Sequence, residues 1–298
     1  MGENKQFLGH IAAFVTILVW GFGFVSVVVL LRSFTPAEIL FFRFGLAMIA
    51  LYIIYPKRMA KTTWRQELLF LAAGVSGVTM YFLLQDFALL HTAASNVSVI
   101  VAVSPVFTIL LSWWLLKSGR PKGTFFLGAL LALGGIGLIS FGSSQLEVHP
   151  LGDFLAVLGA LSWAIYCVVL KKISELGHHT IQVTRRVFFY GLIFLIPVIL
   201  ASDFRLGLYR FLEWQNIGGI IYLGIASSAL CFVFWNFSLK RLGPVKTSVY
   251  AYLIPLVAVG ASIALLDEVI TWSSGAGIAL VLVGVLLSNR KEKKRKVS

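Results

Sequence analysis

Apolar residues in this chain fall in long unbroken blocks, without the three-to-four spacing of a helix that shows one face to water. Ten blocks stand out, at about 10–31, 36–55, 67–90, 94–116, 124–142, 153–171, 181–201, 215–238, 244–266 and 272–289. Each comes close to the roughly 20 residues that cross a bilayer's hydrocarbon core as a helix. The pattern predicts an all-α integral membrane protein of ten transmembrane helices with connections too short for a soluble domain. Five blocks precede the Ser143–Pro150 segment and five follow it. The expected divisions are a first five-helix repeat at 1–142, an outside connector at 143–151, a second repeat at 152–289 and a basic tail at 290–298.

The polar positions repeat as well. Residues Gly74 to Pro105 align without a gap on Gly224 to Pro255, with identities such as Phe82/Phe232, Phe87/Phe237, Ser98/Ser248 and the terminal prolines. A second echo, offset by 143, pairs Gly9/Gly152, Trp20/Trp163 and Arg43/Arg186. Two matches in the same chain order argue for internal duplication. Five spans is an odd number, so the second copy enters the membrane from the opposite side and the repeats are inverted. In transporters such repeats set a substrate site near the midplane and exchange its access by rocking one half against the other.

Composition restricts the chain to the membrane. It is 59% hydrophobic and 12% charged, with mean hydropathy +0.91. A soluble domain carries about a quarter charged residues. The net charge of +13 would suit nucleic acid, but the cations sit between apolar blocks and in one tail, where they obey the positive-inside rule. With the N-terminus in the cytoplasm, the cytoplasmic segments hold 19 lysines and arginines against three outside, Arg32, Arg205 and Arg210. Both termini are therefore expected to be cytoplasmic in a multi-pass cell-membrane protein. Its partners would be the bilayer and a small-molecule substrate, with no nucleic acid. The first block runs from Ile11 to Leu31 without a cleavage motif and reads as a span, not a signal peptide. Cys167 and Cys231 lie deep in apolar blocks with no ligand spacing, so neither a disulfide, a metal nor another cofactor is expected.

The motifs resemble those of the EamA-type transporters of the drug/metabolite transporter superfamily. WGFGFV at Trp20–Val25 is similar to that family's first-helix motif, and Pro36-Ala37-Glu38 leading to Phe42-Arg43-Phe44 to its second helix. ALLHTAASNVSVIVAVSPVFTILLS resembles the fourth-helix pattern, and LKRLGPVKTSVYAYLIPLVAV with Leu266-Asp267-Glu268 resembles it in the second copy. The resemblance implies ten helices, cytoplasmic ends, and export or exchange of amino acids and related metabolites. One departure is that Lys117-Ser118-Gly119 stands where the first copy usually carries a glutamate.

Several polar and aromatic residues fall deep in apolar blocks. Arg43 lies about 10 Å into its span at ~1.5 Å per residue, and Arg186 echoes it. A buried guanidinium suits a carboxylate or phosphate clamp, with snorkelling to the interface as the alternative. Trp20 and Trp163 sit midway along their helices, where a cavity wall competes with packing. Tyr81 and Gln85 share a helical face beside Asp86, and Trp235 and Asn236 occupy the corresponding positions in the second copy. Asn96, Ser98, Tyr250 and Tyr252 lead toward Pro105 and Pro255, which are expected to break their helices and act as hinges. Each polar group could also serve as helix–helix glue. The glycine pairs Gly128/Gly135 and Gly277/Gly284 predict close helix packing.

Coupling is less legible. Asp86 is the deepest carboxylate, and apolar neighbours would disfavour its charged form, so it is the candidate for proton coupling; facilitated exchange and a hydrated Asp86 at the outer interface remain open. The leading reading is a secondary transporter of small metabolites. An exporter of amphipathic drugs would use the 14% aromatic content. An enzyme would need a catalytic constellation, and a scaffold would move no solute. Substrate, direction and oligomeric state are not encoded legibly.

Overall fold

A computed structural model describes residues 2–119, 123–141, 150–202, 204–266 and 271–288, and these are helical with short connections. The helices are α1 (Gly2–Leu30), α2 (Pro36–Ile54), α3 (Trp64–Leu89), α4 (Ala94–Leu116), α5 (Gly123–Phe141), α6 (Pro150–Ser174), α7 (Thr180–Ala201), α8 (Trp214–Leu242), α9 (Pro244–Leu266) and α10 (Trp272–Ser288). Eight of them are long and apolar enough among the described residues to cross a membrane. The exceptions are α5 and α10, whose qualifying apolar stretches are shorter, at Gly123–Ala132 and Gly275–Gly284. Asp267 and Glu268 lie outside the described residues.

Local chemistry fixes the helix ends. Thr35 caps α2 by accepting from the Glu38 amide, Glu38 returns a bond to the Thr35 amide, and Pro36 opens the first turn. Thr63 and Gln66 form the same reciprocal cap on α3. Beyond the caps the helices are apolar on every face. Large side chains such as Phe22, Ile53, Leu130, Leu200 and Leu286 point outward, as they do where lipid is the solvent.

Four of the helices are irregular, in two matched pairs. Inside α3, residues Val75–Met80 form a π-helical segment, and inside α8 residues Tyr222–Leu230 do the same. The two segments end 150 residues apart, the offset of the sequence repeat. In α4 the helix breaks into a turn at Ala102–Val103 and restarts at Ser104, with Pro105 in its first turn. In α9 residues Val249–Leu253 tighten into a 3₁₀ turn immediately before Ile254 and Pro255. Both prolines interrupt their helices as expected, because each lacks an amide and fits only a new first turn.

The helix contacts come in matched pairs. Helix α1 packs on α8 and α9, and α6 packs on α3 and α4. Helix α2 lies on the π segment of α8, and α7 lies on the π segment of α3. The pairs α2/α7, α4/α9 and α5/α10 also touch. Exchanging α1–α5 for α6–α10 maps this set of contacts onto itself. The α5/α10 seam is built by glycine: a Cβ on Gly135 would lie 2.6 Å from the Gly277 carbonyl oxygen, and one on Gly284 would collide with the Gly128 carbonyl. The predicted glycine pairs thus bring two backbones into contact.

Candidate functional site

Arg43 is the side chain hardest to place in an apolar bundle, and it is buried at its centre, 1% exposed. It does not snorkel. Its Nε donates to Ser228 Oγ at 3.0 Å and its Nη2 to Ser227 Oγ at 3.4 Å. Both acceptors belong to the π segment of α8, against which α2 packs. The guanidinium carbon also lies 4.3 Å from the Phe82 ring centroid and 5.1 Å from that of Phe44, where aromatic faces stabilise a cation. Among the described residues no carboxylate makes an ion pair with it. Asp86 is the acid whose charge acts on it through space.

A central cavity of about 30 Å³ opens beside this guanidinium. That volume holds on the order of two waters. Trp20 and Gly23 from α1, Arg43 from α2, Tyr81, Phe82 and Gln85 from α3, Trp163 from α6, Leu223 and Ser227 from α8 and Ile254 from α9 line it. Trp20 and Trp163 meet edge-to-face with centroids 5.2 Å apart, and Tyr81 packs against Trp163 at 4.7 Å. The Trp20 indole donates from Nε1 to the Ser227 carbonyl at 2.9 Å. Five expected residues therefore converge on one space: Trp20, Arg43, Tyr81, Gln85 and Trp163.

Others stand elsewhere. Asp86 is fully buried on the same helix as Gln85 but does not line the cavity, and neither carboxylate oxygen has a hydrogen-bond partner among the described residues. It does not reach the outer interface. Trp235 supports Trp20 from behind at 5.1 Å. Asn236 accepts from the Tyr166 hydroxyl at 2.5 Å and donates to Thr184 Oγ1 at 2.9 Å, so it cross-ties α6, α7 and α8 instead of facing the cavity. Asn96 donates to Thr92 in the connection just before α4, and Ser98 donates to the Ser95 carbonyl in its own helical turn. Tyr250 bonds His10 at 2.7 Å, and Tyr252 is buried away from the cavity. Asn236 and Tyr250 thus tie helices together while Asn96 and Ser98 bond locally, because apolar surroundings drive each polar group to its nearest partner.

Arg186 is not a second Arg43. It donates from Nε and Nη2 to the two oxygens of Glu67 at 3.0 and 2.5 Å, and the Tyr190 and Thr62 hydroxyls join the same carboxylate. The pair lies at the helix ends, where Arg186 is 39% exposed. A counterpart closes the opposite end of α2. There Glu38 receives Arg210 at 2.9 and 3.1 Å and the Arg205 amide at 2.8 Å. Each ion pair joins a helix of the first half to residues of the second.

The sequence profile of the EamA-like transporter family matches the chain twice, over residues 7–141 and 150–290. The chain belongs to the EamA-like transporter family. It is 28% identical over 292 residues to an "uncharacterized transporter" of Archaeoglobus fulgidus, covering 95% of this chain and 98% of that one. It is 25% identical over 282 residues to a "probable terminal-alkyne amino-acid exporter" of Streptantibioticus cattleyicolor, covering 94% and 93%. A crystal structure shares the fold with TM-score 0.67 over 97% of each chain at 16% identity. The family and these two relatives are named as transporters, not enzymes, so this EamA-like chain is a membrane transporter. Its cavity also contains Ser227, Gly23, Leu223 and Ile254, which the sequence reading did not single out. The available signal was the Ser227-Ser228 pair inside an apolar block of the repeated stretch.

Proposed function

We propose that the chain is a ten-helix secondary transporter of amino acids or related small carboxylates, built as two inverted five-helix repeats and working by alternating access as an exporter or exchanger. The observation that carries this reading is Arg43: a buried guanidinium beside a cavity, held by hydroxyls and ring faces, with no carboxylate bonded to it among the described residues. In a form of the protein whose cavity is wider than these 30 Å³, an entering substrate carboxylate would supply the anion it lacks, in the bidentate geometry that guanidinium favours. The aromatic walls Trp20, Tyr81, Phe82 and Trp163 would take the substrate's apolar portion. The contact pattern that survives exchange of the two halves supports the repeats, and the relative named as an amino-acid exporter supports the substrate class. Cytoplasmic termini rest on the distribution of lysine and arginine.

Asp86 gives the mechanism a second component. It shares the buried interior with Arg43, and neither of its carboxylate oxygens has a hydrogen-bond partner among the described residues. When a substrate carboxylate arrives at Arg43, two anions compete for one cation, and protonation of Asp86 relieves the conflict. Substrate and proton movements would thereby be linked. The deciding experiment is flux of a panel of labelled amino acids into proteoliposomes containing the purified protein. Transport of at least one carboxylate-bearing solute is expected. No movement of any solute by folded protein would leave a scaffold role.

A further inference from the structure

At the ends of α2, α3 and α7 lies a second, larger cavity of about 700 Å³, unrelated to the central one. Its walls carry Arg58, Lys61, Arg185 and Arg186, against one lining acid, Glu67, whose oxygens are already engaged by Arg186, Tyr190 and Thr62. Arg58 and Lys61 have no ion-pair partner among the described residues. Arg185 is 5% exposed and organises the floor: Nη1 donates to the Tyr55 carbonyl at 2.7 Å and Nη2 to the Lys57 carbonyl at 2.5 Å. Its Nε is buried without a hydrogen-bond partner among the described residues. Gln182 donates to the Arg58 carbonyl at 2.8 Å, so the segment carrying Arg58 and Lys61 is tied down in advance of any ligand.

We infer that this cavity binds the phosphate headgroup of an anionic phospholipid. A surplus of fixed cations with one spare buried donor calls for an anion. The surroundings specify lipid as its source, because the cavity lies where the spans end. Tyr52 and Phe189 line its mouth with 53% and 46% of their surface exposed, and Ile53, 76% exposed, continues the apolar surface beside it. A phosphate there keeps its acyl chains along that surface, an arrangement a soluble anion does not use. Basic pockets between membrane helices at the interface recognise lipid headgroups in this way.

The test is native mass spectrometry of the full-length protein in detergent, titrated separately with phosphatidylglycerol, phosphatidylcholine and inorganic phosphate. Wild type should retain phosphatidylglycerol in preference to phosphatidylcholine. The double variant Arg58→Gln/Lys61→Gln alters exposed side chains, so it should fold while binding phosphatidylglycerol about 30-fold more weakly, at the usual contribution per basic residue. A charge-matched control, Lys171→Gln/Lys172→Gln, should retain wild-type binding. Equal retention of the two lipids, an equal loss in the control, or displacement of phosphatidylglycerol by millimolar inorganic phosphate would each overturn the assignment.

Discussion

Replacing Arg43 separates a substrate clamp from a packing residue. Arg43 is 1% exposed and among the described residues its guanidinium has two serine hydroxyls as hydrogen-bond acceptors, so its remaining N–H groups are available to a ligand. A bidentate carboxylate would add two charge-assisted bonds, each worth about 1.5–3 kcal/mol. Arg43→Ala should therefore weaken carboxylate binding by about 3–5 kcal/mol, which is two to three and a half powers of ten in affinity. Arg43→Lys keeps the charge but loses the fork, and one lost bond of about 2 kcal/mol corresponds to roughly a 30-fold rise in half-saturating concentration. The assay is concentration-dependent flux in proteoliposomes, comparing a transported amino acid with its uncharged amide. The alanine variant should lose discrimination between them. Wild-type flux of the acid by Arg43→Ala, or equal losses for acid and amide, would refute the clamp.

Other consequences are open to direct measurement. Asp86→Asn should make solute flux indifferent to an imposed pH gradient that accelerates wild type; the same gradient response in both would remove Asp86 from coupling. Glu38→Gln leaves Arg210 facing a neutral amide, and breaking a largely buried pair of this kind should cost about 3 kcal/mol of stability in a denaturant titration. Gly135→Leu must force apart the α5/α10 seam and should lower thermal stability far more than Gly45→Leu, where a Cβ meets nothing. Reporters fused after Lys61 or Lys172 should read cytoplasmic and one after Gly207 external, with the reverse result overturning the orientation.

The apolar helices and the breaks at Pro105 and Pro255 were legible because they depend on runs and spacings within the chain. The convergence of Trp20, Arg43, Tyr81, Gln85 and Trp163 was legible in outline, since aromatic and charged residues deep in apolar blocks have few uses. The rotation of each helix about its own axis was not. A helix apolar on all faces has no amphipathic stripe to reveal which side turns inward, so Asn236 read as a cavity residue when it is tied to Tyr166 and Thr184. Arg43 and its serine partners are 184 and 185 residues apart, and their contact follows from packing of α2 on α8. The echo of Arg43 at Arg186 misled for a related reason. Matched sequence positions need share neither burial nor neighbours: Arg43 is buried among serines and rings, whereas Arg186 lies at the helix ends and pairs with Glu67.

The contacts that map onto themselves when the halves exchange carry a consequence for the conformational cycle. If the inward-open and outward-open forms are related by swapping the roles of the two halves, the α5/α10 seam is common to both. A substitution there shifts the energies of the two forms together and leaves their ratio unchanged. Glu38 has no such protection: the residue 143 positions later is Ile181, so its bond to Arg210 has no mirror image. Glycines of the seam would thus govern how much folded protein exists, while the lone carboxylates at the two ends would govern how long the binding cavity spends facing each compartment.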